Sequence, residues 1–147
     1  MYKRILVPLE HSAADATILD HVRRLARFCG AAVIVLHVAD GWVARNINQL
    51  GLRESEEMRD DRMYLERVLA ELRAEGLDAD AVLAAGDPTR EIADAAERER
   101  CDLIAMATHG HRLVADLLRG SVASEVRHVT MVPVLLVRMP KPAKEGA

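Results

Sequence analysis

Residues whose types and spacing suit anion binding lie in the last third of the chain, between residues 101 and 138. A buried-strand pattern over Asp102 to Ala107 is followed by a polar turn at residues 108–110, and after nine further residues by Gly120 and Ser121. A Gly-Ser step is typical of a helix start, where the first backbone amides lack carbonyl partners and carry the positive end of the helix dipole. The sequence therefore predicts a phosphate site at the amides of residues 121–123, although both glycines also suit ordinary turns.

Other kinds of site find little support in the residue pattern. The chain has no Gly-x-x-x-x-Gly-Lys-Ser/Thr loop, and no Gly-x-Gly-x-x-Gly follows its first predicted strand, which disfavours ordinary P-loop hydrolysis and dinucleotide redox chemistry. Three histidines fall in loops after predicted strands, where they suit either phosphate contact or a solvated position: His11, His109 and His111. The other three are expected to be structural: His21, His37 and His128.

Composition sets the class of protein. The 147 residues fit one domain, and with half of them hydrophobic but only 3% aromatic, the core must be built from aliphatic side chains. A net charge of -3 argues against a protein that binds the nucleic-acid backbone.

Two cysteines far apart, Cys29 and Cys101, match no metal or disulfide framework and are expected to be buried thiols in a reducing compartment. The apolar run Ile5 to Leu9 is too short for a signal or membrane segment, so we expect a cytoplasmic protein.

Hydrophobic patterning positions these residues on alternating strands and helices. Strands are predicted at Lys3 to Leu9, Ala31 to Val38, Asp80 to Ala85, Leu103 to Ala107 and Val134 to Val137. Helices are predicted from an N-cap at Ser12 to Gly30, from Glu54 to Glu75, from Pro88 onward and from Gly120 onward. This alternation predicts an α/β fold with an open parallel sheet, in which ligands bind beyond the carboxyl ends of the strands.

The chain also resembles the universal stress proteins of the small, single-domain kind. The resemblance rests on Ile5-Leu6-Val7-Pro8 with Ser12, on Leu36-His37-Val38, on Pro133 to Val137, and on the spacing of Gly110 and Gly120-Ser121. It covers residues 2 to 138, which implies a domain at 1–138 and a mobile tail at 139–147. It further implies a five-stranded parallel sheet in the order 3-2-1-4-5, with helices on both faces, as in Rossmann-like adenine-nucleotide-binding folds.

The resemblance implies that ATP, or AMP, ADP or cyclic AMP, binds at the carboxyl edge of the sheet. It assigns three groups of nucleotide contacts: Pro8, Leu9, Glu10 and Val38 at adenine and ribose; Met106, Ala107, Gly110 and His111 at ribose and phosphates; Gly120, Ser121 and Val122 at the phosphates. Arg112 and Arg119 flank the last group, and Mg²⁺ held through water by Asp40 or Asp116 is a further expectation.

Two residues depart from the family pattern. Ala107 stands where the family has its first glycine, and Glu10 stands where an aspartate is usual. The added methyl group and the longer side chain are expected to retune binding rather than to remove the phosphate site.

The resemblance implies a sensor or regulator that works through partners, not an efficient enzyme, because the sequence offers no clearly positioned base. Two alternatives remain open, a protein-interaction module that binds no nucleotide and a slow ATPase. A homodimer is expected through the apolar final strand, Val132 to Val137, whose edge a second chain would cover.

Overall fold

Five aliphatic runs form the central sheet. The computed structural model describes residues 1–39, 56–108 and 114–140, and for residues 114–121 it describes the backbone alone. The strands are β1 Arg4–Leu9, β2 Ala32–Ala39, β3 Ala79–Ala85, β4 Leu103–Thr108 and β5 Val134–Arg138. Each predicted strand is confirmed, and each end differs from its prediction by no more than one residue.

All strand pairs are parallel, and the sheet order is β3-β2-β1-β4-β5, as expected. The chain therefore builds outward from β1 to β3 on one side and then places β4 and β5 on the other side. The strand order reverses between β1 and β4, and such a switch point opens a crevice at the carboxyl ends of the strands. β5 lies at an outer edge of this sheet, a position that tolerates Pro133 directly before the strand.

Four helices cover the sheet within the described residues: α1 Ala14–Cys29, α2 Glu56–Ala74, α3 Pro88–Arg98 and α4 Val114–Val129. Gly30 ends α1 in the left-handed conformation (φ 67°), which glycine adopts without steric cost. Asp87 caps α3 by accepting a hydrogen bond from the amide of Arg90, with Pro88 at the first helical turn, as predicted.

The alternation of side chains along β1 divides the core into two layers. Ile5 and Val7 pack with residues of α1 and α2, whereas Leu6 packs with residues of α3 and α4 on the opposite face. Because both faces of the inner strands are covered, their side chains are nearly all buried and aliphatic. This rigid centre holds the loops at the carboxyl edge.

The prediction that a helix begins at Gly120 is wrong. α4 begins at Val114, so Gly120 and Ser121 lie within its backbone and not at its start. The residues before this step, Val114 to Arg119, include good helix formers, and a glycine inside a helix costs only about 1 kcal/mol relative to alanine. A Gly-Ser step alone is too weak to stop a helix that its neighbours favour.

Two smaller expectations concern Ser12 and the cysteines. Ala13 is the residue directly before α1 and has no side chain that can cap it, but the Ser12 hydroxyl accepts a hydrogen bond from the amide of Ala14 (3.3 Å) and donates one to Glu10 (3.0 Å), so Ser12 does contact the first turn as a cap would. Cys101 is buried, and burial raises the pKa of its thiol to about 11, but Cys29 is only partly buried at the end of α1.

In the described part of the chain, every helix is too short or too polar to cross a bilayer. The predicted mobile tail falls largely on residues 141–147, which lie outside the described residues.

Candidate functional site

A cavity of about 800 Å³ opens at the carboxyl edge of the sheet, at the switch point between β1 and β4. Its volume is in the range of small-molecule sites. The ends of β1, β2 and β4 form its floor, and α2 forms one wall. The start of α3 and the middle of α4 form the remaining walls. The described lining residues are Pro8, Leu9, Glu10, His11, Asp15, His37, Val38, Ala39, Glu57, Asp60, Asp61, Pro88, Ile92, Met106, Ala107 and Val122.

Seven of the eleven predicted nucleotide-binding residues line this one cavity: Pro8, Leu9, Glu10, Val38, Met106, Ala107 and Val122. They come from four elements far apart in sequence, and the parallel sheet brings them together at one edge. Gly110 and His111 lie outside the described residues, as do His109, Arg112 and Asp40. The side chains of Asp116, Arg119 and Ser121 are likewise not described.

The corrected start of α4 changes the argument for phosphate binding at residues 121–123. These residues lie beyond the first turn of α4, and amides in a helix interior are bonded to the carbonyls four residues before them. They are therefore not the free donors that a helix start would offer. The nucleotide contacts of Gly120 and Ser121 stay predictions from the family resemblance.

The loop after β1 is held by the carboxylate of Asp15, which is only 2% exposed. This carboxylate accepts hydrogen bonds from the amides of Glu10 (2.9 Å), His11 (2.9 Å) and Ser12 (3.3 Å). It also accepts one from the hydroxyl of Tyr64 on α2 (2.6 Å). Burial, and then the bond to Asp15, raise the pKa of the Tyr64 hydroxyl, which therefore remains a donor. The loop backbone is thus fixed against both α1 and α2.

His11 occupies a backbone conformation that is uncommon for its residue type. Its φ of 63° is in the left-handed region, which costs a residue with a Cβ atom about 1 kcal/mol. The His11 ring stacks on the Tyr64 ring (centroids 4.1 Å apart, 13° between planes), and its Nδ1 lies 2.8 Å from Oδ1 of Asp61. Backbone outliers that the surroundings hold in place are concentrated at functional sites, and this one lines the cavity.

Asp61 joins His11 to a second imidazole. Its Oδ2 lies 3.1 Å from Nε2 of His37, and Nδ1 of His37 lies 2.8 Å from the carbonyl oxygen of Leu9. Asp61 and His37 are 6% and 8% exposed, so the two groups form a buried pair at the cavity floor. The prediction that His37 is structural is compatible with this position, but His37 is also part of the lining.

Charge is unevenly distributed around the cavity. Five carboxylates line the β1 loop and α2 side: Glu10, Asp15, Glu57, Asp60 and Asp61. No lysine or arginine is among the lining residues that the structure describes, and the opposite side, at Met106, Ala107 and Val122, is uncharged. Across the described ranges, no cluster of three histidine, cysteine or acidic side chains is arranged to hold a metal ion. An anionic group is therefore accommodated best on the Ala107 and Val122 side.

Sequence reasoning missed the contribution of α2. Asp61, Tyr64 and the acidic residues near them follow a long connection that separates them from the β2 end in sequence. One signal was present, because Asp61 lies four residues before Leu65 and is in register with Val68 and Leu72, the core-facing stripe of α2. A carboxylate in a core-facing position indicates a buried polar partner.

Comparison with known proteins agrees with this fold. The family model described as the universal stress protein family matches residues 1–138. The universal stress protein MJ0577 of Methanocaldococcus jannaschii has a solved structure that is 30% identical in sequence, with a TM-score of 0.80, over 97% of this chain and 99% of that one.

Two more distant structures share the fold. A universal stress protein from Archaeoglobus fulgidus in complex with dAMP is 22% identical, with a TM-score of 0.69, over 92% of this chain and 98% of that one. A universal stress protein in complex with cAMP is 19% identical, with a TM-score of 0.73, over 92% and 97% of the respective chains. The family match over nearly the whole chain, together with the sheet order and the cavity at its switch point, shows that this chain belongs to the universal stress protein family.

Proposed function

We propose that this protein binds ATP or a related adenine nucleotide in the cavity at the carboxyl edge of the sheet. The observation that carries the proposal is the convergence of seven predicted nucleotide-binding residues on one cavity of about 800 Å³. The relatives in complex with dAMP and cAMP support the choice of an adenine nucleotide.

The uneven charge of the cavity suggests how such a ligand lies. Phosphates next to α2 would face Glu57, Asp60 and Asp61, and like charges in a partly enclosed site repel each other strongly. We therefore place the nucleoside against the β1 loop and α2, where acceptor groups are plentiful, and the phosphates on the side of Ala107 and Val122. The family resemblance assigns Gly110 and His111, which lie outside the described residues, to ribose and phosphates.

Ala107 takes the place of the family's first glycine without closing the cavity. It lies at the end of β4, is partly buried against the core and also lines the cavity, so its small side chain leaves the cavity open. Glu10 directs one carboxylate oxygen to the Ser12 hydroxyl (3.0 Å), and this contact holds the longer side chain near the loop. Both departures are compatible with a nucleotide-sized ligand.

A regulatory role through partner proteins, without efficient catalysis, is the biological setting that we propose. A homodimer through β5 is part of this proposal, and so is a cytoplasmic location. In this proposal the chain's own residues bind and orient the nucleotide. Mg²⁺ would be bound chiefly by the phosphates, because the described residues contain no group of three side chains arranged to hold a metal ion.

Isothermal titration with ATP and AMP tests the proposed site through a bulky substitution. Ala107→Phe would fill the floor of the cavity, and we expect at least a tenfold loss of affinity, because the ring and the nucleotide compete for the same space. Ala70→Phe, on an exposed position of α2, is the matched control and should bind like the wild type. Unchanged affinity in folded Ala107→Phe protein would place the ligand elsewhere.

A further inference from the structure

Asp61 is a buried carboxylate that contacts two imidazoles at the cavity wall. Its side chain is 9% exposed, and its two oxygens lie 2.8 Å from Nδ1 of His11 and 3.1 Å from Nε2 of His37. Both histidines line the cavity, so the protonation state of this three-residue cluster decides which hydrogen-bonding groups a ligand meets.

The neighbours of His37 hold its ring from two sides. Nδ1 faces the carbonyl oxygen of Leu9 at 2.8 Å, and a carbonyl only accepts, so this nitrogen carries a hydrogen. On the other side of the ring, Nε2 lies 3.1 Å from Oδ2 of Asp61. His37 is therefore held between the β1 backbone and Asp61, and it fixes the position of the Asp61 carboxylate in turn.

The same carboxylate determines the tautomer of His11. Oδ1 of Asp61 accepts from Nδ1, which leaves the lone pair on Nε2 of a neutral imidazole. Stacking on Tyr64 and the bond from the His11 amide to Asp15 fix the ring and the backbone. Among the described residues, Nε2 of His11 has no recorded hydrogen-bond donor, and the His11 side chain is 37% exposed at the cavity.

We propose that Asp61 is a positioning residue of the nucleotide site, which holds the His11 ring as the Nδ1–H tautomer. His11 then presents Nε2 as a hydrogen-bond acceptor to a neutral donor on the nucleoside, either a ribose hydroxyl or the adenine amine. This inference rests on the proposed nucleotide site, and it explains why an L-residue is held at positive φ in the β1 loop.

Histidine ring ¹⁵N shifts of the ligand-free protein test the protonation states without any substitution. We expect the neutral form of His11 to carry its hydrogen on Nδ1, with Nε2 unprotonated. A neutral His11 protonated at Nε2 would overturn the assignment to Asp61. This readout does not depend on nucleotide binding.

The variant Asp61→Asn tests the positioning role itself. The asparagine side chain has one acceptor oxygen and one NH₂ donor in place of two acceptor oxygens, so it cannot face both imidazoles as Asp61 does. We expect the His11 ring shifts to move toward a tautomer mixture and ATP affinity to fall about fivefold, the worth of one hydrogen bond. Asp20→Asn, on the exposed face of α1, is the control. Wild-type His11 shifts in Asp61→Asn would refute the positioning role.

Analogues that each lack one donor identify the group that His11 contacts. His11→Ala keeps an L-residue at positive φ, and its effect is measured with ATP, 2′-deoxy-ATP, 3′-deoxy-ATP and ITP. If His11 accepts from one donor, the substitution weakens ATP binding about fivefold but has no effect on the analogue without that donor. Equal weakening of all four ligands, or of none, would refute the acceptor role. If the wild-type protein binds none of these nucleotides, both the proposed function and the acceptor role of His11 are refuted. The ligand-free spectra still test the tautomer of His11.

Discussion

Asp15 organises more of the candidate site than any other single described residue. One buried carboxylate accepts hydrogen bonds from three loop amides and from Tyr64, and so connects the end of β1 to α1 and α2. In the sequence, Asp15 is distinguished only by its place three residues after the predicted N-cap Ser12. Its larger role depends on Tyr64, whose proximity no local pattern reveals.

Replacing Asp15 by alanine is expected to lower the free energy of unfolding by about 3 kcal/mol. The change leaves buried amides and a hydroxyl without an acceptor, and each unsatisfied group carries a desolvation cost. Urea denaturation measures the loss. The control Asp20→Ala, on the exposed face of the same helix, should cost well under 1 kcal/mol. Similar losses for the two variants would show that the Asp15 network contributes little.

Asp102 makes stability depend on pH at the opposite end of β1. Burial alone would raise the pKa of this carboxyl, but hydrogen bonds from the amides of Arg4 and Lys3 lower it overall. A carboxyl whose pKa is lower in the folded state stabilises the fold above its unfolded value, near 4, and loses this effect as the pH falls through the folded pKa.

We therefore expect Asp102→Asn to destabilise the protein by about 1 kcal/mol at pH 7 and to matter less at pH 2 to 3. The small value allows for solvent screening at a largely accessible group. Denaturation curves of wild type and variant across this range measure the difference. A deficit that stays constant with pH would contradict the assigned role of the amide bonds.

At the scale of elements, hydrophobic patterning was sufficient for the strands and insufficient for α4. Strands buried on both faces read as uninterrupted aliphatic runs, for which β2 is the clearest example. The predicted start of α4 was wrong because Gly120 and Ser121 are locally typical of a helix start. In the structure the helix begins at Val114 and continues through Gly120, since a glycine inside a helix costs only about 1 kcal/mol relative to alanine. Local signals of that size do not decide an element boundary.

The edge of β5 carries a prediction about assembly. Leu136 is 39% exposed on an outer strand, and an unpaired apolar edge favours pairing with another chain. We expect a dimer by light scattering at about 100 μM and a monomer for Leu136→Lys, because a lysine on an edge strand opposes pairing. Met63→Lys, at an exposed position of α2, should remain dimeric. A monomeric wild type would refute the proposed edge.

At the scale of the whole molecule, parallel topology explains why seven of the predicted residues line one cavity. The carboxyl ends of β1, β2 and β4 must share one edge, so residues at these strand ends meet in space. Val38 and Ala107 lie at such strand ends, and Pro8 was assigned from the family resemblance. The acidic wall from α2 was not predicted, because its position depends on how a helix after a long connection packs against the sheet.

The same topology separates the two ends of the cavity by charge. The α2 side carries the carboxylates and the two imidazoles, and the side at Ala107 and Val122 is uncharged among the described residues. In the proposed binding mode, this asymmetry places the phosphates of the nucleotide away from α2 and its nucleoside on the side of His11.

Calorimetric titration of the wild-type protein with ATP at low millimolar concentration, with Mg²⁺ present, tests the central claim most directly. We predict saturable binding at one site per chain and a matching rise in the thermal unfolding temperature, since a ligand at about 100 times its Kd adds about 2.7 kcal/mol to the folded state. Absence of both heat and thermal shift up to 5 mM, a concentration at which ~50 μM binding would reach that ratio, would contradict the account.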